Sequence, residues 1–102
     1  MSDKITVRRW SIADELKTDE DIRYYLSSVL EDAEDDPAFV AMALGEIAKA
    51  RGMSKIAEET GLGRESLYKA LSGNGNPSFG TVLKFLRALG FVLDIKPILK
   101  HA

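Results

Sequence analysis

The 102 residues contain no cysteine, which excludes disulfides, thiolate nucleophiles and Cys-ligated zinc. The single histidine, His101, stands one residue from the C-terminus, where chains fray. A glycine-rich phosphate loop is also missing. Acid and base roles would then fall to carboxylates with no apparent pocket, so an enzyme is not expected. No apolar run approaches the roughly 20 residues of a membrane span, and MSDKITVRRW lacks the apolar core of a secretory leader. These absences predict a cytoplasmic protein with no membrane contact, no cofactor and no metal.

What is present divides by charge. The net charge of −2 averages two unlike parts. Residues 1–36 hold 11 acidic and 5 basic side chains, whereas residues 37–102 hold 5 acidic and 9 basic. A single core suffices at this length, burying roughly two thirds of the unfolded surface. The asymmetry predicts an acidic N-terminal extension over 1–36, a short strand plus a helix packed on the same core. A basic domain follows over 37–102, and the two faces would meet different partners. A bare solubilising role for the acidic part is the alternative.

Local patterns place the elements. Ile5 and Val7 alternate with Lys4, Thr6 and Arg8, as in a short half-buried strand. Thr18 and Asp21 have capping-box spacing, and Ile22, Tyr25, Leu26, Val29 and Leu30 form one apolar face over 19–32. The acidic run from Glu31 to Asp36 ends that helix and reads as solvated linker rather than a metal site. Asp36 and Pro37 then suit the N-cap and first position of the next helix. Its stripe is Val40, Ala43, Leu44, Ile47 and Ala48, and Gly52 stops it after Arg51. Ser78 caps a last helix ending at Leu89, with Val82, Leu83, Leu86 and Leu89 as its core face and Gly90 closing it. Phe91, Leu93 and Ile95 alternate up to Pro97, the pattern of an edge strand that pairs with its twin in a dimer or with the strand near Ile5.

Between these lies SKIAEETGLGRESLYKAL, residues 54–71, which reads as two short helices joined by a tight turn. Ala57 is small enough for a close helix crossing, and Gly61 four residues later can take the positive φ that turns the chain. Leu62 plugs the turn. Leu67 and Leu71, at i and i+4, face back toward Ile56. Arg64, Glu65, Ser66, Tyr68 and Lys69 remain for the free side, where such a helix reads bases in the major groove. Arg64 suits a bidentate contact to guanine, worth about 1–3 kcal/mol of discrimination. Glu65 either accepts from a cytosine amino group or pairs with Lys69 at i+4. Asn74 and Asn76, in the loop SGNGNPS, either donate to phosphate or merely tolerate the turn.

The run GEIAKARGMSKIAEETGLGRESLYKALSGNGNPSFGTVLKFLRALGFVLDI resembles the helix-turn-helix of the HigA-like addiction-module antidotes, antitoxins with a Cro/C1-type (XRE) reading unit. Leu16, Thr18 to Asp21 and Tyr25 to Leu30 extend the likeness upstream, so it covers nearly the whole chain. The resemblance implies an all-α fold: a Cro/repressor-like bundle of about five helices with short terminal strands. It also implies a homodimer that represses its own operon by binding double-stranded operator DNA. The same protein would neutralise a small basic RelE/HigB-type toxin that cleaves messenger RNA at the ribosome. By position, Arg64, Glu65, Tyr68 and Lys69 would read bases, while Ser54 and Lys55 would meet phosphate. Gly63 and Gly80 depart from the family, which favours Ser and an acidic residue there; the reading helix loses a cap and the last helix some support. The acidic half, including Asp19, Glu20, Asp21, Glu31, Asp32, Asp35 and Asp36, is the side expected to meet a basic toxin, with Tyr24 and Trp10 as anchors unless Trp10 is core. A Cro-like regulator without a toxin is the alternative, and it would lack a neighbouring reading frame for a basic protein.

Overall fold

Five α-helices carry the fold over residues 12–72 and 76–98, the parts that the computed structural model describes. The first, α1 (Asp19–Ala33), starts at a capping box. The Asp21 N–H donates to Thr18 Oγ1 at 3.1 Å, and the Thr18 N–H donates to the Asp21 carboxylate at 3.1 Å. The Lys17 amide donates to the same carboxylate. Lys17 foremost and Thr18 next hold the Asp21 carboxyl below its ordinary range, because each bond stabilises the charged form. Ile22, Leu26, Val29 and Ala33 are buried along one face, while Leu30 is exposed.

The second helix, α2 (Pro37–Arg51), begins with the Asp36 carboxylate accepting from the Ala38 and Phe39 amides at 3.1 and 3.3 Å. It buries Ala41, Ala43, Leu44, Ile47 and Ala48, and it packs against α1. A 3-10 turn, Ile12–Glu15, rests on α2, where the Ala13 amide donates to Glu46 at 3.2 Å. Asp19 pairs with Arg51. Tyr25 lies against this junction; burial first, and the Glu46 charge second, push its phenol above the ordinary value. Leu16, Ile22 and Leu26 thereby join one apolar cluster with Leu44, Ile47, Ile56, Leu67 and Phe85.

Helices α3 (Met53–Thr60) and α4 (Arg64–Ala70) follow, and α5 (Phe79–Leu89) packs on α3. Ser78 caps α5 by accepting from the Thr81 amide at 3.1 Å, and Gly90 ends it at φ +89°. The core face of α5 differs from the one its sequence suggests. Leu83 is exposed, and Phe85 is fully buried with Leu86 and Leu89. Val82, Phe85, Leu86 and Leu89 make the i, i+3, i+4, i+7 stripe, and Leu83 stands one position off it.

The predicted C-terminal strand does not form: residues 91–98 lie in neither helix nor strand. No strand occurs among the described residues, because alternation makes a strand only where a second edge supplies hydrogen-bond partners. The alternation from Lys4 to Arg8, Trp10, Asn74 and His101 lie outside the described residues.

Candidate nucleic-acid interface

Helices α3 and α4 owe their mutual placement to a short turn. Gly52 closes α2 and opens α3 at φ +101°, so one glycine turns the chain between two helices. Gly61 ends α3 in the left-handed conformation at φ +76°, and its amide donates to the Ala57 carbonyl at 3.1 Å. Ile56 and Ala57 are buried beside the turn, and Leu62 packs half-buried on the core.

Thr60 ties the turn together, a role its sequence position did not disclose. Its hydroxyl donates to the Ile56 carbonyl at 2.8 Å and to the Ala57 carbonyl at 3.2 Å. The same oxygen accepts from the Leu62 amide at 3.2 Å. A threonine at a helix end can bond back to the preceding turn, but only the fold shows that this one also holds the next residue. Thr60→Val keeps the shape and leaves the Leu62 N–H without that acceptor. A loss of about 1–2 kcal/mol is expected in urea unfolding, with the midpoint lowered and the slope unchanged.

The inner side of α4 is Leu67 and, just past its end, Leu71, both buried. α2 reaches this end of α4 very closely. A Cβ placed on Gly45 would stand 2.7 Å from the Leu71 carbonyl oxygen, so only glycine fits there. The sequence shows Gly45 as an ordinary interruption of a helix; its partner lies 26 positions away.

On the outer side, Arg64, Glu65, Ser66, Tyr68 and Lys69 are all exposed. At 3.6 residues per turn, Arg64, Tyr68, Glu65 and Lys69 fall within an arc of roughly 140°. Glu65 and Lys69 form no ion pair with each other, so the helix surface does not neutralise its own charges. Ser54 and Lys55 are exposed on the first turn of α3, and Asn76 is exposed beyond α4. Gly63 supplies no side-chain cap to α4, and the first turn of α5 holds no acidic residue, as the two departures at Gly63 and Gly80 predict. Among the described residues no group of three or more His, Asp or Glu is placed to hold a metal ion. None of the described helices is long and apolar enough to cross a membrane.

This arrangement is a rigid helical hairpin with one apolar seam and one polar, partly basic face. Residues 6–97 match the sequence profile of a family described as "Probable addiction module antidote protein". The chain belongs to the addiction module antidote family. A relative in Haemophilus influenzae, named only as an uncharacterized protein, is 43% identical over 90 residues, covering 88% of this chain and 91% of its own. No solved structure matches the chain. The match spans both the acidic helix α1 and the hairpin, so the antidote family shares the two parts in one unit.

Proposed function

We propose that this antidote is a HigA-like antitoxin that binds DNA as a homodimer and represses its own operon through a Cro/XRE-type reading unit. The observation that carries the reading is the outer face of α4, where Arg64, Glu65, Ser66, Tyr68 and Lys69 stand exposed above a fully buried Leu67. Such a helix enters the major groove with its N-terminal residues at base edges, and a twofold dimer places two copies about 34 Å apart. Arg64 recognises guanine through O6 and N7. Ser54, Lys55 and Asn76 meet phosphate and set the register, with Asn74 in the adjoining loop.

The second half of the proposed activity is neutralisation of a small basic toxin of the RelE/HigB type. Its support is the antidote family together with the acidic surface of α1 and the 31–36 run, where Tyr24 is exposed beside Arg23 and Glu20. Like an acidic patch elsewhere, this face steers an oppositely charged partner and speeds the encounter.

A mobility-shift titration on DNA upstream of the gene tests the first half. Arg64→Ala is expected to weaken binding by about 1–3 kcal/mol per half-site and to relax the preference at one base pair. Lys69→Ala should weaken all sequences alike and flatten the salt dependence by about one charge per copy. Unchanged affinity in both variants rules out the reading face. The toxin half predicts a copurifying complex with the neighbouring gene product, and independent elution of the two proteins from a sizing column counts against it.

A further inference from the structure

We propose that the elbow where α1 turns into α2 is the docking surface for the basic toxin. Phe39 and Met42 are its apolar centre, and Asp32, Glu34 and Asp35 its acidic rim. The segment that fits presents an apolar side chain between lysines or arginines. This deepens the toxin half of the proposed function and rests on it.

Two contacts fix how the helices run past each other. Asp19 pairs with Arg51, and the Glu46 charge acts on Tyr25, so α1 and α2 lie antiparallel in one register. Roughly two turns further along α1 and two turns back along α2, on the same faces, that register sets Asp32 beside Phe39. Midway it sets Ser28 beside Met42. The 3-10 turn rests at the opposite end, on Glu46. Phe39 and Met42 stay 40% and 53% exposed. Aromatic residues and methionine are enriched at the centre of protein interfaces, and the flexible methionine chain adapts to the shape it meets.

Charge selects the occupant. The 31–36 run holds five carboxylates and no cation. Glu31 meets Lys96 and Asp36 caps α2, which leaves Asp32, Glu34 and Asp35 with no ion-pair partner among the described residues. The exposed apolar pair Phe79 and Leu83, by contrast, shares α5 with Lys84, Arg87 and no acidic residue, so it would repel a basic protein.

The fold holds these carboxylates against its own preferences. The Asp36 amide donates to the Ala33 carbonyl at 2.9 Å, closing a four-residue turn in which Glu34 stands at φ +54° and ψ −113°. That is the first central position of a type II′ turn, which glycine fills without strain. Glycine does occupy the other positive-φ positions among the described residues, 52, 61 and 90. Asp32 lies in the last turn of α1, where no basic residue offsets the negative end of the helix dipole. Both side chains are exposed, so neither placement serves packing. A cation arriving from outside accounts for both.

The probe is the purified product of the neighbouring reading frame, titrated against this chain. Met42→Glu adds a carboxylate and so preserves steering, yet it should raise the dissociation constant about tenfold by removing an apolar contact. Phe39→Ala should do the same, while Leu83→Glu on α5 should stay within about twofold. Glu34→Gly should slow association about threefold at low salt and not at high salt, with a urea midpoint no lower than that of the wild type. The elbow is overturned if the wild type binds while Met42→Glu and Phe39→Ala bind equally well, if Leu83→Glu loses as much as they do, or if Glu34→Gly associates at the wild-type rate in low salt; the toxin half of the reading survives each of these results. A change in the sedimentation of the antidote alone on Met42→Glu would assign the face to a second copy of this chain and overturn the toxin as its occupant. A wild type that does not bind the product overturns the toxin half and the elbow together.

Discussion

Phe85→Ala is expected to lower the unfolding free energy by about 3–5 kcal/mol, the usual result of emptying a fully buried aromatic site. Phe85 is the largest side chain with no exposure, and it belongs to the cluster that also holds Ile22, Leu44, Ile56 and Leu67. Its ring therefore touches the fate of every helix. A domain of this size has about 5–15 kcal/mol in total, so the variant retains little margin at physiological temperature. Urea unfolding checks the value. A loss under about 1 kcal/mol would mean that α5 is not the keystone of this core. Leu83→Ala is the matched control on the same helix, and its exposure limits the effect to a few tenths of a kcal/mol.

Leu67→Ala should remove about 2–5 kcal/mol of stability and, on the proposed function, abolish operator binding with it. Helix α4 has seven residues, well short of the roughly 12–15 at which an isolated helix becomes marginal in water. Its first residue has no side-chain cap. The helix therefore persists only because Leu67, fully buried, and Leu71 fasten it to the core. Removing Leu67 frees the Arg64 face from its platform. The distinction from Arg64→Ala is measurable: Leu67→Ala lowers the urea midpoint and DNA affinity together, whereas Arg64→Ala, at an exposed position, lowers affinity alone. Equal urea midpoints for Leu67→Ala and the wild type would contradict the buried seam.

The antidote-family profile spans both α1 and the hairpin, and α2 lies between them in the chain. The contacts that join α1 and the 3-10 turn before it to α2 are polar as well as apolar: Ala13 to Glu46, Asp19 with Arg51, and Tyr25 against the same junction. Exposed ion pairs of this kind stabilise little, typically about 0–1 kcal/mol, so Leu16, Ile22 and Leu26 do most of the attachment. A partner that docks on the outer side of α1 consequently presses on a surface continuous with the core beneath α4.

Helix boundaries were legible because caps act over three or four residues. Thr18 with Asp21, Asp36 before Pro37, Gly52, Gly61, Ser78 and Gly90 each mark a helix end through bonds or backbone angles made within one turn. The exposed face of α4 was legible too, since Leu67 and Leu71 at helical spacing leave Arg64, Glu65, Tyr68 and Lys69 on the other side. Long-range matters were not. Whether Leu83 or Phe85 enters the core depends on how α5 is rotated against α3, a quantity set by side chains on another helix. Gly45 is required by the Leu71 carbonyl far along the chain, and Thr60 by the amide of a turn whose path the core dictates. The amino-acid order by itself therefore determined where helices start, stop and turn, and which residues the hairpin presents. The tertiary structure alone decided the rotation of α5, the closeness of α2 to α4 and the lack of strand pairing over residues 91–98, because each depends on atoms that meet only after the chain has folded.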